Sequence, residues 1–245
     1  MPLLILAFFV TALLYASVGF GGGSTYTALL ALSGLDYRIL PLLALSCNIV
    51  VVAGSTTRFA RAGVTPWRSA GLLTALAAPA ALVGGLTPIS ETLFLTILGI
   101  SLLFAGAALL LKPSVSSTAP AKAARFMPLF AIPLGYLAGL VGIGGGIFLA
   151  PILHLVRWNS AKAVAATASL FILVNSMFGL VGQTIKGGTG RIAVAIDLGL
   201  PLLLAVAIGG QIGSFLALKY LPQSWIRLGT AALTIWVGAR LLLMM

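Results

Sequence analysis

Runs of about twenty apolar residues alternate along the chain with short polar gaps, and about twenty is the length an α-helix needs to cross the hydrocarbon of a bilayer. Clear runs of this kind cover residues 39–57, 68–87, 91–111, 163–182, 192–218 and 225–244. Two further apolar blocks, 2–33 and 127–156, are each interrupted by a cluster of glycines. The pattern predicts an all-α polytopic membrane protein, with full crossings and two broken segments of another kind.

Composition supports this class. Of 245 residues, 60% are hydrophobic and 7% charged, with a mean hydropathy of +1.18, far from the balance of a water-soluble domain. The first segment carries no Lys or Arg ahead of Leu3–Val10 and no cleavage-like site follows, so it is expected to stay as a membrane segment. Cys47 is the sole cysteine, which removes any intramolecular disulfide or cysteine metal cluster. A net charge of +11 in a soluble protein would suggest nucleic acid. Here the charges sit in gaps between spans, where topology explains them, and no nucleic-acid partner or cofactor is expected.

The chain repeats itself. VGFGGG at 18–23 returns as VGIGGG at 141–146, an offset of 123, which also places Ser46 on Ser169 and Ala44 on Thr167. PISETLFLTILGISLL (88–103) likewise resembles PQSWIRLGTAALTIWV (222–237). We expect two homologous transmembrane repeats, 1–111 and 127–245, joined by a basic Pro/Ser-rich loop at 112–126. If each glycine-broken block is a hairpin that returns to its own side, one side carries Arg58, Arg61, Arg68, Lys112, Lys122, Arg125, Arg157, Lys162, Lys219 and Arg227. The other carries Arg38, Lys186, Arg191 and Arg240. Single broken crossings leave a weaker asymmetry, so the count favours hairpins modestly. Three full crossings per half make the repeats inverted, an arrangement typical of secondary transporters. Trp67, Trp158 and Trp225 fall beside the more basic side, as interfacial aromatics do.

The glycine clusters look like phosphate loops but lack the lysine that would follow: Gly23 precedes Ser24-Thr25-Tyr26, and Gly146 precedes Ile147-Phe148. Two readings remain. Small residues let membrane helices pack closely. Alternatively, Gly19, Gly21, Gly22 and Gly23, matched by Gly142, Gly144, Gly145 and Gly146, break the helix, since each glycine costs about 1 kcal/mol against alanine. A helix restarting after such a break aims unpaired N–H groups and the positive end of its dipole at the gap, an anion site made without a charged side chain.

YASVGFGGGSTYTALLAL (15–32), LAGLVGIGGGIFLAPIL (137–153) and ATASLFILVN (166–175) resemble the sulfite exporter TauE/SafE family, also called toluene sulfonate uptake permeases, over essentially the whole length. The resemblance implies a transporter of small sulfur-containing anions such as sulfite, thiosulfate or sulfonates in the cytoplasmic membrane. It also implies an inverted-repeat fold whose glycine hairpins meet near the centre. One departure is LSCN (45–48) in the first half where the second has ASLF (168–171), so polar groups are unevenly placed.

Candidate substrate-binding residues are Gly21, Gly22, Gly23, Ser24, Thr25, Ser46 and Asn48 in the first half, and Gly144, Gly145, Gly146, Thr167, Ser169 and Asn175 in the second. The hydroxyls compete with a plainer role, bonding a carbonyl of their own helix. Asn48 and Asn175 cannot satisfy an amide so locally, and their alternative is interhelical glue. Gln183 and Gln211 lie in or near spans, and Gln211, with Gly209, Gly210 and Gly213 beside it, reads equally as a bridge between helices and as a substrate contact. His154, the sole histidine, and Asp197 are candidates for proton coupling, against an interfacial position for His154 and a pair with Arg191 or an interfacial position for Asp197. Asp36 and Glu91 read as a loop residue and a helix-start residue, with Ser90 as an N-cap. One His, one Cys and three acids, scattered, offer no catalytic constellation. The expected function is a secondary transporter working by alternating access; a passive anion or solute channel of the same fold is the alternative, and an intramembrane enzyme a more distant one. The sequence leaves oligomeric state, direction of transport and coupling ion open.

Overall fold

A computed structural model describes residues 1–17, 20–110, 126–219 and 223–243, with side chains except at Ser17, Thr189 and 214–227. Gly19, most of the connecting loop and the Trp225 side chain lie outside the described residues. Helices are α1 (Pro2–Ser17), α2 (Gly23–Leu32), α3 (Leu40–Arg61), α4 (Trp67–Leu86), α5 (Glu91–Leu110), α6 (Met127–Val141), α7 (Gly146–Leu155), α8 (Ala161–Lys219) and α9 (Gln223–Leu243). Five described segments are long and apolar enough to cross a membrane: α3, α4, α5 and the two arms of α8, Ala161–Gly188 and Gly190–Gly213. The sixth expected span, 225–244, falls on α9.

The boundaries differ most at α8, where the sequence suggests a gap from 183 to 191. The helical run continues instead to a break at Gly188, whose φ of 67° and ψ of 176° only glycine adopts readily. One residue therefore turns the chain between two spans. Ser90 does cap α5, accepting from the Leu93 amide at 3.4 Å.

Contacts orient the elements. Arm one of α8 runs toward the end of the bundle where α4 stops, since the Lys186 ammonium donates to the Thr87 carbonyl at 3.2 Å. Arm two returns alongside α3, with Gly199 near Leu43, Gly210 near Val51 and Gly54 near Gln211. The first hairpin, α1 and α2, opens at the end where arm two begins. Helix α1 runs parallel to arm two, with Phe9 against Gly209 and Leu13 against Gly213. The segment leaving α2 bonds there through the Tyr37 hydroxyl to the Ile89 carbonyl at 3.3 Å. The second hairpin, α6 and α7, opens at the opposite end. Its outer residues Met127, Leu149 and Leu153 pack with Leu73 of α4 and Val164 of α8.

Glycine sets the closest approaches. A Cβ on Gly84, Gly135, Gly139 or Gly182 would strike a backbone carbonyl of a neighbouring helix among α4, α6 and α8, and one on Gly213 would strike that of Leu13 in α1. In lipid, where no hydrophobic force draws helices together, such contact supplies the dispersion energy that does. Leu3, Leu129, Ile185, Ile196, Leu200 and Trp236 are exposed, as side chains facing acyl chains are.

Candidate functional site

Both hairpins break on glycines with positive φ. Gly22 (φ 83°, ψ 5°) is the N-cap of α2 and Gly145 (φ 77°, ψ −16°) that of α7, and Gly142 and Gly144 share the left-handed conformation at 74° and 73°. Neither N-cap supplies a side chain to the helix start; Phe148 of α7 already donates to the Gly145 carbonyl at 3.2 Å, which leaves the amides of Gly23, Ser24 and Thr25 and those of Gly146 and Ile147 ahead of any carbonyl of their own helices. The N-terminal ends of α2 and α7 thus lie inside the bundle.

The two tips meet on one side chain. A Cβ built on Gly21 or Gly23 would overlap the Asn48 carboxamide, and one on Gly144 would come within 2.8 Å of Asn48 Nδ2 and 3.0 Å of Ser176 Oγ. The Thr27 hydroxyl donates to the Gly23 carbonyl at 2.8 Å and reaches the Gly142 carbonyl at 3.5 Å, joining one cluster to the other. Asn48 is fully buried, and neither its Nδ2 nor its Oδ1 has a partner among the described residues; the same holds for Asn175, for Ser176 Oγ and for Tyr26 Oη. Tyr26 stacks on Phe8 with centroids 4.7 Å apart, which holds its hydroxyl beside Gly22. An unpaired buried amide or hydroxyl costs about 1–3 kcal/mol, so this cluster is a concentration of unused bonding capacity.

The sequence candidates divide. Gly21, Gly22, Gly23, Asn48, Gly144, Gly145 and Gly146 come together, with Ile172 packed against Gly144 and Gly146. Asn175 lies one turn before Gly179, whose face of α8 meets Gly139 and Leu45. Ser169 is fully buried on the same arm. Ser46 and Thr167 take the plainer role, donating to the Leu42 and Ala163 carbonyls, each at 2.8 Å. Thr25 turns from the tips to share a 2.8 Å hydrogen bond with Tyr15, which bonds Thr234 of α9 at 2.6 Å, and Ser24 neighbours the same Tyr15 hydroxyl. His154 is half-buried in the last turn of α7, and Asp197 is exposed on arm two beside Ile196 and Leu200. Gln183 bridges, donating to the Gly139 carbonyl at 2.9 Å and the Leu140 carbonyl at 3.3 Å.

Sequence reasoning missed Ser176, Tyr26 and Thr27. Ser176 was readable, since it follows the candidate Ser169 by two helical turns on one stripe. Tyr26 and Thr27 stand within the first glycine motif, but their relation to the second is tertiary and no spacing shows it. Among the described residues, no three His, Cys, Asp or Glu side chains gather as a metal site would require.

The family model described as sulfite exporter TauE/SafE matches residues 4–241. The chain belongs to this family. A probable membrane transporter protein of Sinorhizobium fredii is 34% identical to this TauE/SafE chain over 98% of it and 97% of the relative. Similar over shorter stretches are probable membrane transporter proteins of Methanocaldococcus jannaschii, 30% identical over 36% of the chain and 35% of the relative, and of Bacillus subtilis, 29% identical over 46% and 39%. No solved structure matches the chain. Membership and the apolar helices make this TauE/SafE protein a multi-pass membrane protein of a transporter family.

Proposed function

We propose that the protein is a secondary transporter of small sulfur-containing anions, of the sulfite, thiosulfate or sulfonate type, which it binds between the two glycine tips and releases by alternating access. The observation that carries this reading is the convergence of both tips on the unpaired Asn48 carboxamide. Two helix N-termini aim partial positive charge at one place, and Asn48 Nδ2, Ser176 Oγ and Tyr26 Oη add neutral donors. An anion gains charge-assisted hydrogen bonds there with no fixed cation to hold it too tightly. Hairpins that open at opposite ends suit alternating access, because a ligand between their tips can be uncovered from either end. We read residues 1–111 and 127–245 as inverted repeats about the 112–126 loop. The matched contacts of Leu13 with Gly213 and of Tyr136 with Gly84 support that reading.

The test is thermal stabilisation of purified protein by sulfite, thiosulfate and short alkyl sulfonates, followed by flux into proteoliposomes with and without a pH gradient. Ligand at 100 times its dissociation constant should stabilise the fold by about 2.7 kcal/mol. No shift with any of these anions would sink the substrate class. Saturating flux that responds to the gradient would establish proton coupling, for which His154 and Asp197 are the residues to replace. Flux that does not saturate would replace the carrier with a channel.

A further inference from the structure

Between the tips and the basic end of the bundle, α3 carries polar groups that the site above does not use. Ser55 follows Asn48 by two turns on the same face of α3. It is 3% exposed, and its hydroxyl has no partner among the described residues. The Thr56 hydroxyl, next in the chain, is also buried and unpaired. One turn beyond Gly54 stands Arg58, whose guanidinium donates to Gln211 Oε1 of α8 at 3.5 Å. Gly54 lies against that pair: a Cβ there would sit 3.3 Å from Gln211 Nε2 and 3.5 Å from Arg58 Nη1.

Arg58 is held by a neutral amide because the carboxylates are elsewhere. The chain has three acids. Asp36 bonds the Arg38 amide in the loop before α3, and Glu91 starts α5, both at the other end of the bundle. Asp197 lies about four turns before Gln211 on the same arm. No carboxylate therefore pairs with Arg58, which stands with Arg61 in the last turn of α3, one turn beyond Ser55 on the way out from Asn48. A cation serving only to anchor α3 at the headgroups needs no buried, unpaired hydroxyls such as those of Ser55 and Thr56 behind it.

We infer that the α3–α8 seam is the anion's path between the basic end and the glycine tips, with Arg58, set by Gln211, drawing anions in and Ser55 as a station on the way. This rests on the proposed anion site, but it can be tested without knowing the substrate. With Cys47→Ala as background, Ser55→Cys is treated from the basic end with two membrane-impermeant methanethiosulfonates, one carrying a sulfonate and one a quaternary ammonium. With each rate taken relative to that reagent's rate with a free thiol, attraction by Arg58 in the low-dielectric seam should favour the anionic reagent about tenfold. Arg58→Gln should erase the preference and Arg58→Lys should keep it. A folded Ser55→Cys protein that neither reagent labels, or a charge preference indifferent to Arg58→Gln, would overturn the path. Where wild type is shown to carry an anion, Arg58→Gln should also raise KM about tenfold with little change in kcat, an effect reduced at high salt; an unchanged KM beside intact transport counts against the path and leaves the tip site standing.

Discussion

After the first glycine tip the returning helix begins Gly23-Ser24-Thr25-Tyr26; after the second it begins Gly146-Ile147-Phe148-Leu149. Each has a left-handed glycine N-cap, though Gly144 is also left-handed and its counterpart Gly21 is not. The attachments differ. Helix α2 is tied to α1 and α9 by the Thr25–Tyr15–Thr234 hydroxyls, while α7 lies against apolar neighbours, with Phe148 and Phe104 rings 6.1 Å apart and Pro151 within its ten residues. Hydrogen bonds are directional and hold one geometry, whereas packed rings and aliphatics tolerate sliding. What the two tips share, glycine backbone packed on the Asn48 carboxamide at a helix start, is what the proposed function needs. What they do not share sets how firmly each is held.

The largest test of this contrast is to put a Cβ where both tips require none. Gly22→Val would place β-branched bulk against Tyr26 and Thr11, and Gly145→Val against Phe171 and the Leu134 carbonyl, in each case at a φ that valine resists. Both should abolish transport in a proteoliposome assay while the protein still inserts. Normal transport by both would reduce the glycines to packing elements. Next comes the shared centre. Asn48→Ala should weaken anion affinity about 10- to 100-fold, the loss of one or two charge-assisted bonds, and Asn175→Ala by less, as read by ligand-dependent melting. Equal losses would place the two asparagines in equivalent roles and remove Asn48 as the centre of the proposed anion site.

The attachments come third. Tyr15→Phe removes two hydrogen bonds and should destabilise the folded protein by about 1–3 kcal/mol, whereas Phe148→Leu should cost about 1 kcal/mol or less. Melting curves in detergent rank the two, and the reverse order would mean that packing holds the hairpins more firmly than the hydroxyls do. The smallest effects belong to Ser46→Ala and Thr167→Val. Each hydroxyl is spent on its own helix, so affinity should change less than about twofold.

The membrane class and the positions of the crossings were legible in the sequence because hydrophobic runs of fixed length have one physical meaning in lipid. The glycine clusters were legible as breaks for a similar reason, since four such residues together undo helix propensity. Within the site, Asn48 could be singled out because an amide in a span needs a partner outside its own helix. The same logic could not separate Thr25 and Thr167 from Tyr26 and Ser176. Whether a hydroxyl bonds its own carbonyl, a neighbouring tyrosine or nothing depends on which helices surround it. Arg58 was visible only as one of ten charges on a basic side; its neutral partner, Gln211, lies on an element far away in the chain.

The turn at Gly188 has a consequence for handling the protein. Two spans joined by one residue leave no loop at that corner for a protease to cut, a tag to occupy or an antibody to grip. A label placed there will register motion of both arms at once, and lengthening the corner by a few flexible residues is a direct way to let one arm move without the other.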